Sequence, residues 1–178
     1  MKNKWPVAGI VAGFLVFIWG AVSHMALNIE GFIQPLPDEA PVIDVLQKHI
    51  KSQGVYFIPN EMDPVKLEER VKNTPRALLV FVPAGTPYVF ANTLATQLLL
   101  DLVCGLLAAY LFHLARAALL TTARRLTFCG LLGVFPALAV TAPYWNWYGY
   151  PATSIVSGAI EYGVSGLLFG FVFIKLLR

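Results

Sequence analysis

Four long apolar segments, separated by more polar ones, dominate the pattern along the chain. They cover residues 5–27, 88–115, 126–142 and 152–177. A helix of about 20 apolar residues is long enough to cross the hydrocarbon core of a bilayer. We therefore predict a mainly α polytopic membrane protein with four transmembrane helices.

The first of these helices is expected within residues 1–27. The same stretch has features of a secretory signal peptide: a short basic start, an apolar core and small residues at 21–23. Its apolar run is longer than a usual signal core, so a retained transmembrane helix is the preferred interpretation. Gly9 and Gly13 form a GxxxG pattern, which permits close approach of another helix.

Residues 28–87 differ from the rest of the chain in composition. They contain eight of the ten acidic residues and six of the thirteen Lys and Arg residues, and prolines recur through them. We predict a solvated insert with a small α/β fold. The remaining residues, 88–178, hold the other three transmembrane helices (88–115, 126–142 and 152–177).

Local signals predict four elements in the insert. A helix follows Pro37, with Asp38 as its N-cap and Gly54 at its end. A strand at 55–59 and a second strand at 77–82 flank another helix, which Asp63 and Pro64 open and which ends near residue 72. Because residues 60–75 are long enough for a crossover connection, a parallel βαβ unit is expected.

Basic residues outside the insert indicate the orientation of the chain. They are Lys2, Lys4, Arg116, Arg124, Arg125, Lys175 and Arg178. Four alternating helices put all of them on one side, which the positive-inside rule makes cytoplasmic. We expect a multi-pass protein of the bacterial inner (cytoplasmic) membrane with both termini in the cytoplasm and the insert outside, in the periplasm of a Gram-negative cell.

Polar residues recur along one face of the second and the fourth apolar segment. Each set has the spacing i, i+4, i+8, and the two sets are Thr93, Gln97, Asp101 and Ser157, Glu161, Ser165. Both segments run in the same direction, and a rise of about 1.5 Å per residue puts Gln97 and Glu161 at similar depth. We predict that the stripes face each other, with Gln97 near Glu161 and Asp101 near Ser165.

Three interpretations apply to the carboxyl groups of Asp101 and Glu161. They can be neutral, hydrogen-bonded packing groups, since a charge inside a membrane is costly. They can line a path for protons or cations, which ionisable residues in transmembrane helices often mark. They can also bind a partner subunit or a lipid.

Further candidates lie where the first and last helices reach the outer surface. The aromatic segment 143–151 and one histidine supply them: His24, Tyr144, Trp145, Asn146, Trp147 and Tyr148. An interfacial aromatic belt is the simplest interpretation. The alternative is an aromatic pocket at the mouth of the bundle, closed by the insert. A metal site of His24, Glu161 and His49 has no supporting ligand spacing, so no metal and no cofactor is predicted.

Several functional classes find no support in the sequence. There is no phosphate-binding glycine loop, GxSxG, HExxH or CxxC motif, which favours a non-enzymatic protein. Cys104 and Cys129 lie in apolar segments and are expected to be buried free thiols. No basic patch with interleaved aromatic residues indicates nucleic-acid binding.

Three short stretches together resemble a known kind of protein. They are SHM at Ser23 to Met25, GVYFIP at Gly54 to Pro59 and PYWNWYGYP at 143–151. The combination is similar to small four-span bacterial inner-membrane proteins that have no known activity. The resemblance implies such a protein and implies no functional residue.

The expected function is that of a membrane accessory or interaction subunit, which recognises a protein partner through the insert and the aromatic segment. A small transporter or a proton- or cation-conducting module that uses the intramembrane carboxyl groups is the alternative. The lipid bilayer and a protein partner or a second copy of the chain are the expected partners.

Overall fold

The computed structural model describes residues 4–177 and is mainly helical, with 66% of these residues in helices. In chain order the elements are α1 (Trp5–Met25), α2 (Ala40–His49), β1 (Gly54–Ile58), α3 (Pro64–Arg70), β2 (Ala77–Phe81), α4 (Phe90–Ala115), α5 (Thr122–Pro136), a π-helical turn (Ala137–Thr141), α6 (Ala142–Tyr148) and α7 (Thr153–Leu176).

Four helices are long and apolar enough to cross a membrane, as the apolar pattern predicts. They are α1, α4, the continuous helix Thr122–Tyr148 and α7. At most 28% of the most apolar stretch of each helix is buried within the chain. The bundle therefore presents large apolar surfaces, which water would solvate poorly and hydrocarbon would solvate well.

The third long helix is longer than predicted and includes most of the aromatic segment. It was expected to end at residue 142 and to be followed by an aromatic turn. Instead, Pro136 and Pro143 both lie in helical structure, with the π-helical turn between them. A proline removes one backbone hydrogen bond, and a π-helical turn shifts the bonding register, so the helix continues through both prolines. Gly149, with φ of 78°, ends the helix in the left-handed conformation.

Glycines let α1 and α4 pack with their backbones in contact. A Cβ atom added to Gly13 would lie 2.7 Å from the Cα of Leu102, and one added to Gly9 would lie 2.7 Å from the Cα of Leu106. Gly105 faces both glycines from α4. No side chain fits into this contact, so the GxxxG pattern of α1 has the packing role predicted for it.

A second glycine contact joins α5 to α7. Gly133 and Gly166 face each other so closely that a Cβ on either would lie 2.9 Å from the Cα of the other. Gly170 packs on the side chain of Cys129, which is buried. Cys104, which was also expected to be buried, is exposed on α4, because α4 turns that side away from α1.

The most densely packed part of the bundle lies at one end. Phe112 and Phe173 are fully buried there, with ring centroids 5.3 Å apart, and Phe128 packs on Phe112. The described basic residues that flank the four long helices lie at the same end: Lys4, Arg116, Arg124, Arg125 and Lys175. We call it the basic end. Residues 28–87 extend from the opposite end, which we call the insert end.

The insert forms the expected elements, but its two strands are antiparallel rather than parallel. Ile58 pairs with Ala77 and Gly54 with Phe81. A helix of seven residues such as α3 spans about 10 Å, less than the roughly 17 Å of a five-residue strand. It does not return the chain to the start of β1, so β2 begins where β1 ends and runs back.

Helix boundaries in the insert follow the sequence signals in part. Asp63 caps α3 as predicted, because its carboxylate accepts hydrogen bonds from the backbone N–H groups of Val65 and Lys66. For α2 the N-cap is Glu39 instead of Asp38, and neither its side chain nor any other caps the helix. Gly54 is the first residue of β1 rather than the end of α2, which stops at His49.

The contact between α1 and α4 gives a direct test of the packing. Gly13→Leu should lower the melting temperature of the purified chain in detergent, because overpacking typically costs about 1–3 kcal/mol. Gly20→Leu is the matched control, since nothing lies within 4 Å of a Cβ at that position. Equal melting temperatures for the two variants would contradict this packing.

Candidate functional site

A cavity of about 190 Å³ lies at the insert end, between the start of the insert, the π-helical turn and the first half of α7. Its lining combines two carboxyl groups, three hydroxyl side chains from Ser and Thr, and four aromatic rings. The lining residues are Glu30, Phe32, Val140, Thr141, Tyr144, Tyr150, Ser154, Ser157, Gly158, Glu161 and Tyr162.

Local backbone geometry brings these side chains together. After α1 the chain turns sharply at Asn28, with φ of 47°, and this turn directs Glu30 and Phe32 over the end of the bundle. The π-helical turn and α6 supply Thr141 and Tyr144. On α7 the spacing of Ser154, Ser157, Gly158 and Glu161 puts all four on one face of the helix.

Two buried polar atoms in the lining have no hydrogen-bond partner within residues 4–177. They are the Oγ of Ser154 and the Oε2 of Glu161. Ser154 is 1% exposed, so water outside the chain does not reach its hydroxyl. Buried polar groups in proteins are nearly always hydrogen-bonded, and an exception calls for an explanation such as a water molecule or a ligand.

The surroundings of Glu161 connect α7 to α1 and to the insert. The indole Nε1 of Trp19 donates a hydrogen bond of 3.3 Å to the backbone carbonyl of Glu161. Ser23 and His24 lie on the α1 side of its carboxyl group. His24 Nδ1 is 3.3 Å from Oε2 of Glu30, so the histidine pairs with the acid of the insert.

Aromatic rings close the cavity on the side of the insert. The ring of Tyr144 contacts those of Tyr148 and Tyr150, each at a centroid distance of 5.3 Å. Phe32 packs against Tyr150 at 6.3 Å, and Phe57 of β1 packs against Tyr148 at 6.1 Å. The aromatic segment therefore connects the bundle to the start of the insert, through Phe32, and to strand β1, through Phe57.

In each of the two predicted polar stripes, a side chain donates a hydrogen bond within its own helix. Gln97 Nε2 donates to Oδ1 of Asp101 at 3.1 Å, and the Ser165 hydroxyl donates to the backbone carbonyl of Glu161 at 2.9 Å. The expected pairs, Gln97 with Glu161 and Asp101 with Ser165, are not formed. The reason is that α1 packs against both α4 and α7, whereas α4 and α7 contact each other little.

The α4 stripe lies along an exposed groove. Thr93 and Gln97 line an open volume of about 400 Å³ whose walls all come from residues 87–100. One helix and the segment before it form this groove, and no second helix or strand of residues 4–177 contributes to its lining. It therefore lacks the enclosure that a small-molecule site needs.

The aromatic residues divide between the two interpretations given for them. Tyr144 lines the cavity and Tyr148 contacts the insert, as a pocket at the mouth of the bundle requires. Trp145, Asn146 and Trp147 are exposed on the other side of α6, where an interfacial belt would lie. Within residues 4–177 no three His, Cys, Asp or Glu side chains are close enough together to hold a metal ion.

Some residues of the cavity were not singled out from the sequence. Glu30 was counted only as an acid of the insert, and Phe32, Thr141, Ser154 and Tyr162 were not considered. A signal existed for Ser154, because it lies three residues before Ser157 and seven before Glu161 on the same helical face. No periodic sequence pattern indicates that Glu30 and Phe32 line the cavity, since both follow the turn at Asn28 and lie outside any helix or strand.

Residues 4–177 thus form a mainly helical chain with four helices long enough to cross a membrane and a half-open cavity at the insert end. No protein-family model matches this chain, and no curated protein or solved structure matches it.

The contact between Phe57 and Tyr148 can be tested by hydrogen exchange. Phe57→Ala should speed amide exchange in β1 by about tenfold, because an aromatic pair and its burial contribute roughly 1–2 kcal/mol. Val55→Ala is the control, since Val55 is an exposed side chain in the same strand. Unchanged exchange in Phe57→Ala would show that this ring does not hold the sheet to the bundle.

Proposed function

We propose that the chain is a multi-pass protein of the bacterial inner membrane, with both termini in the cytoplasm and the insert outside. Two observations support this proposal. The four long helices expose apolar surface along their lengths, and the flanking bases gather at the basic end of the bundle. By the positive-inside rule that end faces the cytoplasm.

This orientation can be checked by cysteine labelling in intact cells. In a chain with Cys104 and Cys129 replaced by alanine, a cysteine at Glu69 should react with a membrane-impermeant maleimide. A cysteine at Leu120, in the connection between α4 and α5, should react only after the membrane is permeabilised. The reverse pattern would contradict the proposed orientation.

We further propose that the chain is an accessory subunit that docks a protein partner through its insert. One observation carries this proposal: the insert has almost no core. Among residues 28–87, all of which are described, Pro59 alone is buried. A two-stranded sheet is marginally stable at best in water unless another surface covers it.

The insert exposes apolar side chains on its sheet and on its helix α2. Val55 and Val80 lie directly opposite each other in the sheet and are 65% and 68% exposed. Helix α2 carries Val42, Ile43 and Val45 on its surface, and no other helix or strand of residues 4–177 packs closely against it. Val55 and Val80 thus form an exposed apolar pair on the sheet, and exposed apolar surface can mark an interaction site.

The charge of the insert favours a protein as the occupant of this surface. With eight acidic and six basic residues, the insert is net acidic. Anionic lipid headgroups would repel it, and a second acidic insert would also be repelled. A partner protein with an apolar patch and a basic rim would complement both features.

A photo-crosslinking amino acid at position 80 tests this docking surface in intact cells. We expect one discrete product heavier than the chain, and no such product from the same amino acid at Lys66, an exposed position on α3. Val55→Asp, directly across the sheet from position 80, should abolish the product while the melting temperature of the bundle stays unchanged.

Mass spectrometry of the product separates the remaining outcomes. A product with a different protein supports the accessory role if Val55→Asp removes it. A product of twice the chain's own mass would contradict that role and would favour an oligomer.

An oligomer would suit the alternative function, a small proton- or cation-conducting module. The observation in favour of that alternative is the Oε2 atom of Glu161, which has no hydrogen-bond partner within residues 4–177. Against it, Gln97 is exposed on α4, and the side chain of Asp101 is hydrogen-bonded by Gln97 rather than by a group of α7.

A further inference from the structure

We propose that the cavity at the insert end binds a small organic ammonium ion. This site is separate from the docking surface of the insert, so the inference goes beyond the accessory role and does not depend on it. It stands on the geometry of the cavity and on the two unpartnered polar atoms in its lining.

The charge of the lining selects a cation. Its ionisable carboxyl groups are those of Glu30 and Glu161, and within residues 4–177 no Lys, Arg or His lines it, although the imidazole of His24 lies near both carboxyl groups from α1. His24 is engaged with Glu30, whereas the Oε2 atom of Glu161 is buried with no partner within residues 4–177. A positively charged N–H donor would satisfy that atom with a charge-assisted hydrogen bond.

The unpartnered hydroxyl of Ser154 indicates a second point of contact. It is almost fully buried, lines the cavity and lies about two helical turns from Glu161 on the same face of α7. A ligand long enough to reach both groups has a polar atom at each end, such as an ammonium group near Glu161 and a hydroxyl or ester oxygen near Ser154.

The aromatic rings favour an organic cation over a metal ion. Phe32, Tyr144, Tyr150 and Tyr162 supply four rings, whose faces attract cations within about 6 Å. No group of three His, Cys, Asp or Glu side chains in residues 4–177 could hold a metal. Aromatic surface also solvates the methylene groups that an amine carries and a metal ion lacks.

The size of the cavity limits the ligand. Its volume of about 190 Å³ is below the roughly 300–1,000 Å³ of sites for drug-sized molecules. It would hold roughly six water molecules by volume, or one small amine. Ethanolammonium has the required ends, and it exists both free and as the headgroup of phosphatidylethanolamine.

Thermal unfolding of the full chain tests the proposal. The purified protein is placed in nanodiscs of phosphatidylglycerol and titrated with ethanolammonium chloride at constant ionic strength. We expect a saturable rise in melting temperature, because a ligand that binds the folded state stabilises it. Sodium chloride and ethylene glycol, which lack the ammonium group, should give no saturable rise.

Variants locate the binding. Glu161→Gln should raise the half-saturating concentration at least tenfold, and Ser154→Ala should raise it several-fold. Asp44→Asn is the control, because it removes an exposed carboxyl group on α2, outside the lining. If Glu161→Gln does not fold, Tyr144→Leu, which removes the electron-rich ring, serves in its place and should also weaken binding.

A second arm distinguishes the free amine from the lipid. In nanodiscs that contain phosphatidylethanolamine, a bound headgroup should raise the starting melting temperature and reduce the effect of added ethanolammonium, in the wild type but not in Glu161→Gln. An effect of ethylene glycol equal to that of ethanolammonium, full binding by Glu161→Gln, or no stabilisation in either arm would overturn the proposal.

Discussion

Backbone contact between glycines is the constraint on which the rest of the structure depends. Gly9 and Gly13 admit the backbone of α4, and Gly133 and Gly166 bring α5 and α7 together. In the bilayer that we propose for this chain no hydrophobic effect would drive the helices together, so close van der Waals packing would hold them. Because α1 packs against α7 as well as α4, these two close pairs become one bundle.

The cavity results from departures from regular helix at three places. The left-handed turn at Asn28 brings Glu30 over the bundle, the π-helical turn lies beside Ser157 and Gly158, and Gly149 turns the chain so that Tyr150 faces Tyr144. Irregular backbone of this kind is frequent at functional sites, where it aims side chains that a straight helix would point elsewhere. Here it lies around the residues of the two unpartnered polar atoms, Ser154 and Glu161 on α7.

Part of this organisation can be predicted from the sequence and part cannot, for physical reasons. Apolar length alone predicts the four long helices, and the N-cap at Asp63 and the close contact of Gly9 and Gly13 depend on local chemistry. The hydrogen-bond partner of Gln97 and that of Ser165 each depend on which helices are neighbours, and a periodic stripe shows the face of a helix but not what lies opposite it. The direction of β2 depended on the reach of α3, and the irregular segment that carries Glu30 has no periodicity to read.

The two ends of the bundle differ in how tightly their side chains are packed. Buried phenylalanines fill the basic end, whereas the insert end has a cavity and a sheet held largely by single rings. Tyr144 lines the cavity and touches Tyr148, and Tyr148 in turn holds Phe57 of β1. A molecule that fixed Tyr144 would thereby restrict the sheet, and a protein that fixed the sheet would restrict Tyr144. By thermodynamic reciprocity each would then change the affinity for the other by the same factor, so binding at the proposed cavity site and docking on the proposed insert surface would be coupled through these three rings.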